Sequence, residues 1–394
     1  MKKMQKLDKG LMRKNNMQMI FDVIYKAKSI SRPQIARETD MSLMAVGQIT
    51  DALIEMGLIV ESVNTSETQL GRPPKLLEVA EDNLYCIGIS LDRDGVYVGM
   101  VSPYGKILHS CHTVYAPGNQ EPHTALKTVA ETVNRLIAET GFEKALDIGI
   151  VVPGLVDWEQ GVVLFSSQLK WTDVAIAEEL RKMLGVERVF ADNDVKARAQ
   201  SENQFGTSYG YGNSVLLNLG SGIGAAVVLN HQIYRGKGNM AAEIGHIVIN
   251  PHGRMCECGR IGCLQSNLTD WAILQEARSY RPGITIGGLF DAYEKGETWA
   301  RTLLTQVIGH VSIAINLLAN TYAPDVIVLC GSLIDQNPAF RLMIEEHYKN
   351  QHQDMFSSDF DLKFSTFGPD GNTIGAASIA FARKIESTIM KDMV

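Results

Sequence analysis

The stretch that decides the fold reads LLNLGSGIGAAVVLN (residues 216–230), YRGKGNMAAEIGHIVINP (234–251) and CECGRIGCLQ (256–265). Glycines at 220–224 interrupt two apolar runs rich in β-forming residues. This pattern predicts a hairpin whose turn lets a ligand approach the backbone. Farther along, Cys256, Cys258 and Cys263 share one glycine-rich loop, and His246 lies upstream of them.

Three thiolates and one imidazole suit tetrahedral Zn²⁺. The spacing C-x-C-x4-C therefore predicts one structural zinc ion per chain, held by His246, Cys256, Cys258 and Cys263. The alternative is a loop of free or disulfide-paired thiols. No signal peptide is evident and the chain has only 6 Cys in 394 residues, so a reducing compartment and a metal site are favoured.

The segment Glu243-Ile-Gly-His246, followed by CECGRIGCL at 256–264, resembles the signature of the ROK family. That family comprises sugar-operon repressors, sugar kinases and uncharacterised relatives. The resemblance implies that Glu243 and His246 contact a bound sugar and that His246 also ligates the zinc. Gln265 stands where the family usually has a glutamate that contacts the sugar. Glutamine has the same length and can form hydrogen bonds, but it carries no negative charge.

Charge is unevenly distributed along the chain. The net charge is −7, yet residues 1–37 carry 10 Lys and Arg against 2 Asp and Glu. A basic head on an acidic body favours polyanion binding by the head. No apolar run reaches the ~18–20 residues of a membrane span, so we expect a soluble, cytoplasmic protein without membrane insertion.

Residues 1–81 are predicted to form a winged helix-turn-helix domain. Apolar residues at helical spacing predict a first helix over 16–25, and Pro33 near the start of a second is typical of helix N-termini. Ser42 is a candidate cap for a third helix that ends at Gly57. The buried positions expected on that third helix are Val46, Ile49 and Leu53. Strands at 58–61 and 75–79 complete a wing, and the whole head, with its Gly71-Arg-Pro-Pro74, resembles that of ROK repressors.

Candidate DNA contacts lie on the second and third helices and at the root of the wing: Arg32, Ser42, Met44, Ala45, Gln48 and Arg72. Gln48 is the best base reader, because glutamine pairs bidentately with adenine. Arg72, held extended by the prolines after it, is expected to enter the minor groove. The alternative for the head is a small helical domain that binds proteins instead of DNA. The alternative for the N-terminal lysines is a disordered tail that keeps the protein soluble.

The rest of the chain is predicted to be α/β. The order β-β-β-α-β over residues 84–152 resembles the actin-like ATPase fold to which ROK proteins belong. We expect a first lobe over 82–194 plus 372–394, onto which the last helix folds back. A second lobe over 195–371 is expected to hold the zinc site and an oligomerisation surface.

The loop between the first two strands departs from the kinase pattern. Related sugar kinases have a D-x-G-G-T-type loop there that cradles ATP phosphates, whereas this chain reads Asp92-Arg93-Asp94-Gly95. Two later segments, 220–224 and 326–332, resemble nucleotide-side motifs, and we interpret both as structural rather than functional. No catalytic residue is predicted.

A sugar pocket is predicted from the residues that match the family: Gly154, Gln168, Asn193, Asp194, Glu243, His246 and Gln265. In ROK kinases the aspartate matching Asp194 is the general base. The alternative role of Asn193-Asp194 is to cap the helix that follows, and the two roles can coexist. Carboxylates and amides that converge on a pocket suit the adjacent hydroxyls of a polyol.

The sequence therefore indicates a non-enzymatic ROK repressor. It is expected to bind operator DNA and a sugar or sugar phosphate effector, and to form a homodimer or a higher homo-oligomer. The alternative is an active ATP-dependent sugar kinase with an attached DNA-binding head.

Overall fold

The computed structural model describes residues 9–63, 75–115, 121–141, 147–351 and 360–391. These residues form two compact units. The first holds the described residues up to Cys86 together with those from Ile379 onward, and the second runs from Ile87 to Ser378. The lobe boundaries given above, at residues 81, 194 and 371, stay a prediction.

The first unit contains a winged helix. Its elements are α1 (Lys9–Ala27), β1 (Ser29–Ser31), α2 (Arg32–Thr39), α3 (Leu43–Glu55), β2 (Ile59–Val63) and β3 (Lys75–Val79). β3 pairs antiparallel with both β1 and β2. The three helices and the hairpin confirm the expected architecture, and β1 is an additional strand. Residues 64–74, with Arg72 and the rest of Gly-Arg-Pro-Pro, lie outside the described residues.

Local sequence sets the ends of α3. Ser42 has an extended backbone, and its side chain accepts a hydrogen bond from the Ala45 amide at 3.2 Å. This is the N-cap role expected for serine. Gly57, just past the C-cap, has a φ of +70° that favours glycine.

The buried face of α3 differs from the prediction at one position. Val46 and Leu53 are buried as expected, but the third buried residue is Thr50 and Ile49 is only half-buried. The prediction for Ile49 was wrong because it assumed that the apolar side chain takes the core position. Thr50 is tolerated there because its hydroxyl donates to the Gly47 carbonyl at 3.0 Å.

The second unit begins with a five-stranded sheet in the order β11-β7-β4-β5-β6. Its strands and the associated elements are β4 (Cys86–Leu91), β5 (Gly95–Val101), β6 (Ile107–Val114), α4 (Pro122–Thr140), β7 (Asp147–Val152), β8 (Leu155–Asp157), β9 (Val162–Ser166), β10 (Trp171–Val174), α5 (Ile176–Leu184) and β11 (Val189–Asn193). β5 and β6 pair antiparallel, whereas β7 and β11 run parallel. β8, β9 and β10 form a small separate sheet.

A second five-stranded sheet has the order β14-β13-β12-β15-β16. The remaining elements are α6 (Asp194–Phe205), β12 (Ser214–Leu219), β13 (Ile223–Leu229), β14 (Gln232–Ile233), α7 (Gln265–Leu268), α8 (Asp270–Tyr280), α9 (Ile286–Glu294), α10 (Thr298–Tyr322), β15 (Val326–Cys330), α11 (Ser332–Asp335), α12 (Pro338–Gln351), β16 (Asp361–Phe364) and α13 (Gly371–Lys391). β12 and β13 form the antiparallel hairpin expected from the sequence. Two mixed sheets, each flanked by helices, confirm the predicted α/β class.

The start of α13 packs on the first sheet, as the sequence resemblance implied. A Cβ atom on Gly88 of β4 would collide with the Thr373 carbonyl oxygen, and one on Gly149 of β7 would collide with that of Ala376. Glycine at these two positions therefore lets the helix backbone approach the strands directly.

The end of α13 belongs to the first unit. From Ile379 onward the helix groups with the winged helix. The Phe381 ring lies against two aromatic rings of α1, with centroid distances of 6.4 Å to Phe21 and 5.8 Å to Tyr25.

Within the described ranges, α10 is long and apolar enough to cross a membrane by length and composition alone. Half of its most apolar window is buried inside the protein. Leu304, Val311 and Leu318 lie in the apolar core beside the second sheet. The position of α10 is thus that of a core helix.

Candidate binding cavity and metal centre

All seven residues predicted for a sugar pocket line one cavity in the second unit. They are Gly154, Gln168, Asn193, Asp194, Glu243, His246 and Gln265. Asp92, which follows β4, also lines the cavity, as do residues 221–224, which form the end of the β12–β13 turn and the start of β13. Strands and turns of both five-stranded sheets thus supply its wall, which is the usual place for a ligand in α/β folds.

Asn193 is the last residue of β11, caps α6 and lines the cavity. Its side-chain oxygen accepts a hydrogen bond from the Lys196 amide at 3.0 Å, so it caps α6. Its side-chain nitrogen donates to the Gly154 carbonyl and to Asp194 Oδ1, both at 3.0 Å. The capping role is therefore present in the same residue that lines the cavity.

Asp194 is a perturbed acid. Burial raises its pKa to about 6, and the negative charge of Asp92 adds to the effect. The pKa of Asp92 is also raised, chiefly by burial. An acid whose ionised form is disfavoured by burial and by a second carboxyl group in the same cavity is typical of a functional site.

Glu243 presents its carboxylate to the cavity from a constrained backbone. Ala242 before it has a φ of +64°, a conformation that costs a non-glycine residue energy. Lys196 Nζ lies 3.7 Å from Glu243 Oε1, and the Lys196 side chain is only 2% exposed. Sequence reasoning missed Lys196; its signal is its place in the first turn of α6, two residues after Asp194.

Two glutamines cover glycines of the cavity wall. A Cβ atom on Gly222 would lie 2.7 Å from Gln168 Nε2, and one on Gly245 would lie 3.1 Å from Gln265 Oε1. The missing side chains at these glycines leave room for both amide groups. Amides, carboxylates and a neighbouring histidine supply the donors and acceptors that a polyol needs.

The four residues predicted as metal ligands also come together. One ligand atom from each of His246, Cys256, Cys258 and Cys263 lies within 4.8 Å of the others. Cys256 Sγ is 3.8 Å from His246 Nδ1, and Cys258 Sγ is 3.7 Å from Cys263 Sγ. This cluster is suited to bind a metal ion.

The thiol cluster fits a cation and does not fit disulfides. None of the six cysteines forms a disulfide, and 3.7 Å between the sulfur atoms of Cys258 and Cys263 far exceeds the ~2.05 Å of a disulfide bond. Burial first, and then the neighbouring thiols, raise the pKa of Cys263 to about 12. Such thiols ionise readily only beside a positive charge, which a bound metal supplies.

Glycine shapes the metal loop. Gly259 and Gly262 have φ values of +85° and +78°, and a Cβ atom on Gly262 would collide with the Asn250 carbonyl oxygen. The loop is closed by isolated β-bridges from Val248 to Cys263 and from Met255 to Ile261. These turns bring the three cysteines to one side of the loop.

Protein groups occupy both places that correspond to nucleotide loops of related kinases: the turn that begins at Asp92, and the paired segments 220–224 and 326–332. At the first, Asp92 Oδ1 accepts a hydrogen bond from the Arg93 amide at 2.6 Å. At the second, Gly220 packs against the Ser332 hydroxyl and Gly331 packs against the Leu219 backbone. Segments 220–224 and 326–332 thus pack against each other, which supports their structural interpretation.

The predicted DNA contacts on α3 lie at its N-terminal end. Met44 is 77% exposed, Gln48 is exposed, and Ala45 is half-exposed. Ser42 is exposed, but its side chain caps the helix. On this face of α3, the polar side chain of Gln48 lies near the small side chain of Ala45 and the apolar side chain of Met44.

Arg32 is engaged within the head. Its guanidinium donates to Thr50 Oγ1 at 2.8 Å, to Asp51 Oδ1 at 2.7 Å and to Glu61 Oε1 at 2.5 Å. Only 20% of its side chain is exposed. Arg32 thus holds α2, α3 and β2 together, and its predicted contact with DNA stays a prediction.

The fold and the cavity define an actin-like α/β domain joined to a winged helix. The sequence profile of the ROK family matches residues 86–383. This chain therefore belongs to the ROK family.

Relatives include both repressors and kinases. The chain is 27% identical over 335 residues to a xylose repressor of Caldicellulosiruptor bescii, covering 81% of this chain and 83% of the repressor. It is 30% identical over 314 residues to a glucokinase of Thermotoga maritima, covering 75% of this chain and 97% of the kinase. A crystal structure of a ROK family transcriptional regulator, a homologue of the E. coli MLC protein, shares the fold with a TM-score of 0.82 at 24% identity, covering 97% of this chain and 99% of that one.

Proposed function

We propose that this chain is a sugar-sensing transcriptional repressor. Its winged helix binds operator DNA, and a sugar or sugar derivative binds in the cavity between the two lobes. The observation that carries the proposal is that seven residues chosen from the sequence line one cavity in a chain that also has a winged helix. Repressors among its relatives support the same function.

The metal in this proposal is zinc. Three cysteines and one histidine are a frequent ligand set of structural zinc, which has no open coordination position. His246 belongs to both the metal cluster and the cavity wall. Zinc would therefore orient one imidazole that the sugar contacts.

The protein is proposed to act in the cytoplasm without membrane insertion, as a homodimer or a higher homo-oligomer. Two heads related by a twofold axis match the two halves of an inverted repeat. Selection of duplexes from a random DNA library by the full-length protein is expected to enrich an AT-containing inverted repeat. Enrichment of no sequence would contradict the repressor function.

An active sugar kinase is the second candidate, favoured by the likeness to a glucokinase. Against it stands the turn at residues 92–96, where Asp94 replaces the first glycine of the D-x-G-G-T pattern, Val96 replaces its threonine, and only Gly95 is kept. We expect no significant ATP turnover with any sugar that binds. Turnover in the ordinary range of ~1–10³ s⁻¹, abolished by Asp194→Asn, would establish the kinase instead.

A further inference from the structure

The cavity wall carries one sign of charge. Its lining residues include three carboxylates, from Asp92, Asp194 and Glu243, and no lysine or arginine among the residues that the structure describes. Carboxylates accept hydrogen bonds from sugar hydroxyls, so this wall favours an uncharged polyol. A phosphate ester would bring up to two further negative charges into the same space.

Two cations beside the wall are paired with carboxylates, and a third, Arg260, donates to the His246 carbonyl at 3.4 Å. Lys196 Nζ lies 3.7 Å from Glu243 and is buried behind the cavity. Arg235 donates to both oxygens of Asp192, at 3.0 and 2.6 Å, and lies over the Trp158 ring.

The turn beside Asp92 adds no free positive charge. Arg93 Nε lies 3.5 Å from Asp94, and the Arg93 amide is already bonded to Asp92. The negative charge of Asp92 also contributes, after burial, to the raised pKa of Asp194. A phosphate placed here would meet repulsion, and the one cation of this turn, Arg93, is already paired with Asp94.

We propose that the cavity selects an uncharged sugar as effector and excludes its phosphorylated form by charge. This inference rests on the proposed sugar site and names the chemical class of its ligand. The discriminating group is Asp92, which faces the cavity but is not among the residues matched to sugar contacts.

Calorimetry on the full-length, metal-loaded protein tests the inference. The probes are D-xylose, D-glucose, N-acetyl-D-glucosamine and D-mannose, each beside its phosphate ester. We expect at least one free sugar to bind and its ester to bind at least ~10-fold more weakly at neutral pH and low salt. An ester that binds as tightly as its sugar, or more tightly, would overturn the inference and leave the sugar site standing. No binding by any probe would instead contradict the proposed sugar site.

Two matched variants separate charge from shape. Asp92→Asn removes the cavity charge, and Asp94→Asn removes a neighbouring charge whose side chain is 85% exposed. Asp92→Asn should narrow the sugar-to-ester affinity ratio several-fold, and added salt should narrow it in the parent, whereas Asp94→Asn should leave it within about twofold. A ratio that neither Asp92→Asn nor salt changes would mean exclusion by shape and would overturn the electrostatic inference.

Discussion

The recognition helix α3 and the cavity are built in opposite ways. The candidate DNA contacts of α3 lie within residues 42–48 at one end of the helix, Met44 and Gln48 are exposed, and the Gln48 side chain makes no hydrogen bond within the described residues. The cavity gathers residues from Asp92 to Gln265, and several of them also stabilise the fold. Asn193 caps a helix, and His246 belongs to the metal cluster.

Function and stability are therefore separable on α3 and coupled in the cavity. A side chain on the open face of α3 can change without disturbing any packed neighbour. A substitution in the cavity alters binding and folding together, because the same atoms serve both. Measuring stability and binding on the same variants therefore tests the comparison.

The largest effect is expected at the metal centre. Cys258→Ser should reduce bound zinc from about one ion per chain to almost none, because only three ligands remain. We expect the free energy of unfolding to fall by ~3 kcal/mol or more, with sugar affinity falling as well. Metal analysis after dialysis and thermal denaturation measure the two consequences.

Cys111→Ser is the matched control, since Cys111 lies outside the cluster and a serine hydroxyl can still accept the hydrogen bond that Arg135 donates to its sulfur. It should keep both the metal and the melting temperature. A Cys258→Ser protein that is folded and binds sugar without metal would contradict the claim that zinc stabilises the fold and the sugar site.

At Asp194, binding and stability should change in opposite directions. Its pKa in the folded protein, about 6, lies above the ordinary 3.8. The contribution of the protonated Asp194 carboxyl to the free energy of unfolding is thus complete below pH 3.8 and is lost as the pH rises through 6. At pH 7 to 8, Asp194→Asn should raise the free energy of unfolding by about 2–3 kcal/mol, and it should weaken sugar binding.

Tryptophan fluorescence during urea unfolding reports this effect, because Trp158, Trp171, Trp271 and Trp299 all lie in the second unit. The gain in free energy of unfolding of Asp194→Asn over the parent should shrink toward zero near pH 4. An advantage of equal size at pH 4 and pH 8 would show that the charge of Asp194 is not its cause.

On α3, a substitution should change operator binding without changing the free energy of unfolding. Gln48→Ala should weaken operator binding by ~1–3 kcal/mol through loss of a bidentate contact to adenine, with stability unchanged within ~0.5 kcal/mol. Glu55→Ala, on an exposed position near the C-terminal end of the same helix, serves as the control and should not weaken binding. Identical footprints for Gln48→Ala and the parent would show that α3 is docked differently.

The same contrast explains what the sequence could predict. The metal ligands and the cavity residues come from motifs whose spacing is tied to the fold, so all of them meet as expected. Arg32 shows the limit, since nothing in its local sequence indicates that Asp51 and Glu61 lie within reach. Lys196 shows a second limit, because a lysine in a helix is usually exposed and only tertiary packing reveals this one as buried.

Sugar and operator should be thermodynamically linked, since a sensor requires each ligand to change the affinity for the other. Such coupling is typically ~1–3 kcal/mol and must be reciprocal. Glu243→Ala removes a carboxylate of the cavity in the second unit, whereas α3 belongs to the first. It should therefore abolish the sugar effect and leave the ligand-free affinity for operator nearly intact.

The decisive measurement is operator affinity by fluorescence anisotropy, with and without a saturating concentration of a sugar already shown to bind. The account predicts that the sugar changes the Kd of the parent for operator by ~5–150-fold and that of Glu243→Ala by less than about twofold. An unchanged Kd in the parent, with the sugar bound, would contradict the sensor function.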